Sequence, residues 1–282
     1  MMLSMLGFVV NDTFIKSLDG EIPVAQIIAI RGFFLSLLIL VIIAQRGLLP
    51  RLKEVLRIKV GVRALCEGGA TLAFLSALPI LPFANLTAIL QCLPFAVTVG
   101  AALFLSEPVG WRRWLAIGVG FIGVLVIIRP GMSGFHMVSL LVLVSVVFAA
   151  CRDLVTRQLP SQLPSILVTG TSALFVTCLG LGICVFSGEW QPVSYAQLMV
   201  MMSAAFFLFF GYQFIVLSMR SGEIAYVVPY RYTSLLWAIV FGYFIFDEVP
   251  DAYTLFGSAI VVSMGLYTLY REVRVARRQR TE

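Results

Sequence analysis

Apolar residues run along this chain in stretches of about 20, parted by short polar turns. Ten stretches are predicted, at 2–18, 24–45, 60–80, 84–105, 113–129, 136–157, 165–186, 196–217, 224–246 and 252–270. Within them apolar and polar residues do not alternate, so the pattern predicts helices and no strands. The turns carry the expected breakers: DGEIP, LPFAN, RPGMSGF, SGEWQPVS and FDEVPD. No connection is long enough to separate soluble domains.

Composition explains why the runs are so long. Of 282 residues, 60% are hydrophobic and only 12% charged, too few charges to build a water-facing surface. Lipid is therefore the solvent for most of the exterior, and in lipid each helix must satisfy its own backbone. The net charge of +6 does not point to nucleic acid, because the bases sit in short clusters between apolar runs. The first run has no small-residue cleavage site after it, so it reads as a span. Cys66, Cys92, Cys151, Cys178 and Cys184 all lie inside apolar runs and form no CxxC pair. They read as small buried apolar residues.

Ten helices with a cytoplasmic N-terminus put the even-numbered connections and the C-terminus inside. Those segments hold Arg46, Arg51, Lys53, Arg57, Lys59, Arg63, Arg112, Arg113, Arg152, Arg157, Arg220, Arg271, Arg274, Arg277, Arg278 and Arg280, which are 16 of the 20 bases. Only Lys16 and Arg129 fall at outside edges. This bias predicts both termini in the cytoplasm, with a basic tail on the anionic inner leaflet. The 46–63 stretch, RGLLPRLKEVLRIK and its continuation, predicts a short surface helix.

The chain also repeats itself. A shift of 141 residues places Asp12 on Asp153, Lys16 on Arg157, Leu18 on Leu159, Pro23 on Pro164 and Glu107 on Glu248. Residues 1–130 and 131–282 thus read as two copies of one five-helix unit. Five is odd, so the second copy enters the membrane from the opposite side. That is the inverted repeat found in many secondary transporters.

Several motifs then resemble the drug/metabolite transporter superfamily and its EamA-type members. The second helix carries Arg31-Gly32-Phe33. The fourth and ninth end in Leu105-Ser106-Glu107 and Phe246-Asp247-Glu248. The helices that follow carry Gly118, Gly120 and Gly123, and Gly257 and Gly265. The first helix departs from the family's usual Trp-Gly pair and cytoplasmic lead-in, since the chain starts almost inside it. The resemblance implies a ten-helix transporter of amino acids, nucleoside-like metabolites, vitamins or drugs.

Charges inside a bilayer cost about 3 kcal/mol near its centre, so each marks a site facing protein or water. Asp12 and Arg31 lie about 9 and 11 Å from the outer ends of their helices, a similar depth. Glu67 and Arg231 lie about 9–11 Å from the inner surface. Asp12 with Arg31, and Glu67 with Arg231, therefore form one of two things: fixed ion pairs, or sites that hold polar substrate groups and open as gates. Arg63 stands one turn before Glu67 as a local partner. Gln91 shares the outer level, and Tyr232 is its repeat-equivalent. Tyr212, Tyr230 and Tyr232 are candidates to line a pocket, able to stack a ring and orient it by hydroxyl. Glu107 and Glu248, at helix ends, read as caps. Pro79, Pro82, Pro94 and Pro229 read as kinks. The small-xxx-small patterns Ala116/Gly120 and Ala259/Ser263 offer a face for a homodimer.

These features point to a secondary transporter, working by alternating access, of a small polar or zwitterionic metabolite in a bacterial inner membrane. The alternatives are an exporter of drugs or toxic metabolites and, less favoured, a non-transport scaffold. An enzyme is not expected. There is no GxGD, HExxH or HxxxxD, and the sole histidine, His136, supports no metal site. No phosphate-binding loop of the GxxxxGK[ST] type is present, and no cofactor is expected.

Overall fold

A computed structural model describes the chain except residues 19, 108, 132–134, 161, 222–227 and 282, and, for side chains, also 216, 219–221, 228–229 and 272–281. The start of the predicted ninth span, Tyr226, and the side chains of Pro229, Arg220 and the basic tail beyond Arg271 lie outside the described residues.

Eleven α-helices and no strands occur among the described residues. They are α1 (Met2–Lys16), α2 (Val24–Gln45), α3 (Ile58–Ala77), α4 (Phe83–Leu90), α5 (Leu93–Phe104), α6 (Trp111–Ile128), α7 (Ser139–Arg157), α8 (Ser165–Ser187), α9 (Tyr195–Ser221), α10 (Thr233–Phe246) and α11 (Ala252–Thr281). Two 3-10 helices, Leu49–Val55 and Val228–Tyr232, join them, the first in place of the predicted surface helix. Eight segments are long and apolar enough to cross a membrane, with α4 and α5 together forming one, Phe83–Phe104. At 15 and 14 residues, α1 and α10 are shorter than a crossing of about 20 residues needs, although the 3-10 helix leads directly into α10.

Helix ends follow local chemistry. Pro23 and Pro164 stand just before α2 and α8, where a missing N–H costs nothing. Gly47 and Gly188 follow the same two helices with φ of +65° and +68°, the left-handed turn that glycine takes without a Cβ clash. Ser106 and Asp247 take that conformation without being glycine, at φ 54° and 53°. Each lets the next N–H reach back six residues: Glu107 N donates to Ala101 O at 3.2 Å, and Glu248 N to Gly242 O at 2.9 Å. All four pairs of positions are 141 residues apart.

The chain forms two compact units, and each draws on both predicted halves. One comprises Met1–Val9, Ile80–Leu143 and Gly211–Glu282. Its centre is α6 against α11, where a Cβ on Gly257 would lie 2.6 Å from Gly123 O. Only small residues permit such an approach, which replaces hydrophobic drive between helices in lipid. Gly120 receives the Phe95 ring and Ala116 is buried, so the stripe on α6 is used inside this unit, while Ala259 and Ser263 stay exposed. The other unit comprises Val10–Pro79 and Val144–Phe210. There α2 meets α8 through Gly180, whose added Cβ would lie 2.7 Å from Ala25 O and 2.8 Å from Ala29 N. The break between α4 and α5 falls at Gln91 and Cys92, just ahead of Pro94 in the first turn of α5.

Candidate functional site

In the unit built on α2 and α8, two polar clusters sit on apolar helices. The first joins α1 and α2. Arg31, 7% exposed, donates from Nη1 to Asn11 Oδ1 at 3.2 Å. Asn11 donates from Nδ2 to Asp12 Oδ1 at 2.8 Å. Asn11 thus links Arg31 and Asp12 through its amide. Asn11 was not singled out in the sequence, because a neutral side chain carries no charge signal. One turn on, buried Lys16 donates from Nζ to Leu78 O at 3.2 Å, satisfying a carbonyl just past the end of α3.

The second cluster joins α3, α7 and α8. Arg152 Nη1 lies 3.3 Å from both oxygens of Glu67. Arg152 also holds Asp153, Nε to Oδ1 at 2.9 Å. Arg63 pairs more loosely with Glu67, at 3.9 Å, as its one-turn spacing predicts. Its other partners are neutral hydroxyls: Nε donates to Thr156 Oγ1 at 2.9 Å, and Nη1 to Ser172 Oγ. Within its own unit Glu67 is held by Arg152 and Arg63. Sequence reasoning counted Arg152 among the bases of the cytoplasmic segments and gave it no partner. Its adjacency to Asp153, the repeat mate of Asp12, was the usable signal.

In the unit built on α6 and α11, Gln91 closes α4 and crosses to the start of α10. Its Nε2 donates to Ser234 Oγ at 3.0 Å and approaches Tyr232 O at 3.5 Å. Ser234 Oγ in turn donates to Arg231 O at 2.9 Å, on the 3-10 helix. Gln91 and Tyr232, matched in the sequence by the 141-residue shift, therefore touch. Tyr232 is buried with its ring against α11, and its hydroxyl occupies the space where a Cβ on Gly265 would lie. Tyr230 is half exposed. Tyr212 sets its ring edge-on to Phe8, with centroids 5.3 Å apart.

Two further contacts fix the ends of this unit. Glu248 Oε2 accepts from Phe83 N at 2.6 Å and caps the first turn of α4. Arg129 pairs with Asp251 and lies over the Tyr253 ring, 4.5 Å from its centroid.

The profile of the EamA-like transporter family matches residues 1–129 and 136–270, nearly the whole chain. The chain belongs to the EamA-like transporter family. It is a multi-pass membrane transporter, not an enzyme. An S-adenosylmethionine uptake transporter of Rickettsia conorii is 26% identical over 99% of this chain and 94% of its own. A riboflavin transporter of Rhizobium johnstonii is 27% identical over 73% of this chain and 68% of its own. A pseudopaline exporter, CntI, of Pseudomonas aeruginosa is 23% identical over 92% of this chain and 91% of its own. One solved crystal structure covers 97% of this chain and 98% of its own at TM-score 0.67 and 15% identity, a likeness of fold alone.

Proposed function

We propose that this EamA-like transporter carries a small polar or zwitterionic metabolite across a bacterial inner membrane by alternating access. The observation that carries the reading is the first polar cluster. A buried arginine on an apolar spanning helix, linked through an amide to a carboxylate, is costly to place in lipid, and such groups mark substrate paths and gates in membrane transporters. S-adenosylmethionine is zwitterionic and carries a flat base, and riboflavin carries a flat ring. The named cargoes of the relatives thus call for both charged and aromatic groups. We assign Asp12 and Arg31, with Asn11, to the polar end of such a cargo or to a gate above it. Gln91, Arg231, Tyr212, Tyr230 and Tyr232 are assigned to its orientation, and Glu67 to gating.

The architecture proposed is ten crossings in two inverted five-helix repeats, with α1 and α10 as the short crossings and both termini cytoplasmic. Helix bounds support it. Shifted by 141, α2 falls on α8, α5 on α10, and the start of α6 on that of α11. The left-handed caps at Gly47 and Gly188, and at Ser106 and Asp247, obey the same shift. The exporter among the relatives keeps outward transport as the second reading.

Ligand-induced thermal stabilisation of detergent-purified protein tests the cargo class. A ligand at a hundredfold excess over its dissociation constant adds about 2.7 kcal/mol to the folded state. A shift with S-adenosylmethionine, riboflavin or an amino acid that is lost in Arg31→Ala supports the assignment. Stabilisation by hydrophobic drugs alone would replace it.

A further inference from the structure

The shift of 141 residues carries Asn11 to Arg152, Asp12 to Asp153 and Arg31 to Ser172. The second half therefore keeps the acid of the first cluster and lacks its buried arginine. A guanidinium is nonetheless present there. Arg63 reaches in from α3 and donates to Ser172 on α8 and to Thr156 on α7. Thr156 Oγ1 can accept because its own hydrogen goes to Arg152 O, at 2.6 Å. In the first cluster Arg31, on α2, reaches Asn11, on α1. In each cluster, one guanidinium bridges two helices that follow one another in the chain. Ser172 stands seven positions into α8, as Arg31 does into α2, about 10 Å along each helix.

The two bridges differ in origin. Arg31 belongs to one of the helices it joins, so that bridge persists when other helices move. Arg63 belongs to a third helix, so its bridge breaks when α3 separates from α7 and α8. Glu67, one turn after Arg63, adds the second attachment of α3, to Arg152.

We propose that Arg63 is the second half's substitute for Arg31, and that Arg63 and Glu67 form a detachable clasp holding α3 against α7 and α8 at the cytoplasmic end of this unit. The cytoplasmic placement rests on the inverted-repeat reading above. Release of the clasp admits water, and cargo, between α3 and α7.

Two native cysteines report on it without any knowledge of the cargo. Cys66 adjoins Glu67 and is buried, and Cys151 adjoins Arg152. In a background with Cys92, Cys178 and Cys184 changed to Ser, a membrane-impermeant cationic thiosulfonate is applied to inside-out and right-side-out vesicles. Arg63→Ala and Glu67→Gln each raise labelling from the cytoplasmic face about tenfold, the scale expected for a lost charge-assisted hydrogen bond. Labelling from the outer face stays at the wild-type rate. Ser172→Arg added to Arg63→Ala rejoins α7 to α8 from within α8 and leaves α3 detached, so labelling stays fast while the melting temperature returns towards that of the wild type. Unchanged labelling in both single variants overturns the clasp. Labelling slowed to the wild-type rate by Ser172→Arg overturns a clasp made by α3, and a double variant no more stable than Arg63→Ala overturns Arg63 as the substitute. A rise confined to the outer face overturns the inverted-repeat reading on which the placement rests.

Discussion

The carboxylate of Glu248 is expected to be worth more than an ordinary helix-end residue. Its Oε2 takes the N–H of Phe83 at 2.6 Å, where α4 begins behind Pro82 with no side-chain cap of its own. Phe83 is fully buried, so that N–H has no water to turn to. Removing the acceptor strands a buried donor and loses a charge-assisted bond, for about 1.5–3 kcal/mol. The lost interaction of the anion with the positive end of α4 is included in that figure. Glu248→Gln keeps an acceptor and loses the charge, so it should cost about 0.3–1 kcal/mol, the usual helix-dipole contribution. The assay is reversible unfolding in mixed micelles, followed by tryptophan fluorescence. Glu248→Ala should unfold at clearly lower denaturant than Glu248→Gln, which should itself fall below the wild type. An alanine variant within about 0.5 kcal/mol of the wild type, as for a neutral surface change, would refute the cap.

Gly180→Ala places a Cβ against the backbone of Ala25 and Ala29 and should destabilise by about 1–3 kcal/mol. Gly182→Ala, where a Cβ meets nothing within 4 Å, should be neutral or better in the same unfolding assay. A double-mutant cycle of Glu67→Gln and Arg152→Gln should give a coupling of about 0.6–1.7 kcal/mol, the range for polar pairs between helices in membranes. A coupling near zero would remove Arg152 from the second cluster. On the surface, the Arg51 guanidinium grips both oxygens of Glu54, at 2.6 and 2.9 Å, and lowers the Glu54 pKa below the ordinary glutamate value. Its stabilisation is present above the unfolded-state pKa and fades as pH falls through the lowered one. The melting-temperature gap between wild type and Glu54→Gln should therefore close on acidification and stay constant above pH 6.

Much of the fold was legible because lipid makes helix lengths and ends readable. The predicted 165–186 and 252–270 begin where α8 and α11 begin, since proline, glycine and acidic turns mark them. The 3-10 lead-in to α10 was not legible, because nothing in VPYRY separates it from the run of apolar residues that follows. The site was legible as charge and illegible as pairing. Asp12, Arg31 and Glu67 stood out as ionisable residue types in apolar runs. Their partners were less visible. Asn11 is neutral, and Arg152 lies in a chain segment 85 residues from Glu67. The interleaving of the two halves in each compact unit was equally hidden, since hydropathy records where helices are and not which ones meet.

Transport itself is tested most directly in proteoliposomes. Purified protein is reconstituted with an internal pool of unlabelled S-adenosylmethionine, riboflavin or an amino-acid mixture, and entry of the labelled compound is followed by counterflow. The account predicts accumulation of one of these compounds above protein-free vesicles by the wild type, and its loss in a folded Arg31→Ala variant. Wild-type counterflow by Arg31→Ala, or no flux of any polar metabolite alongside clear flux of an apolar drug, would contradict it.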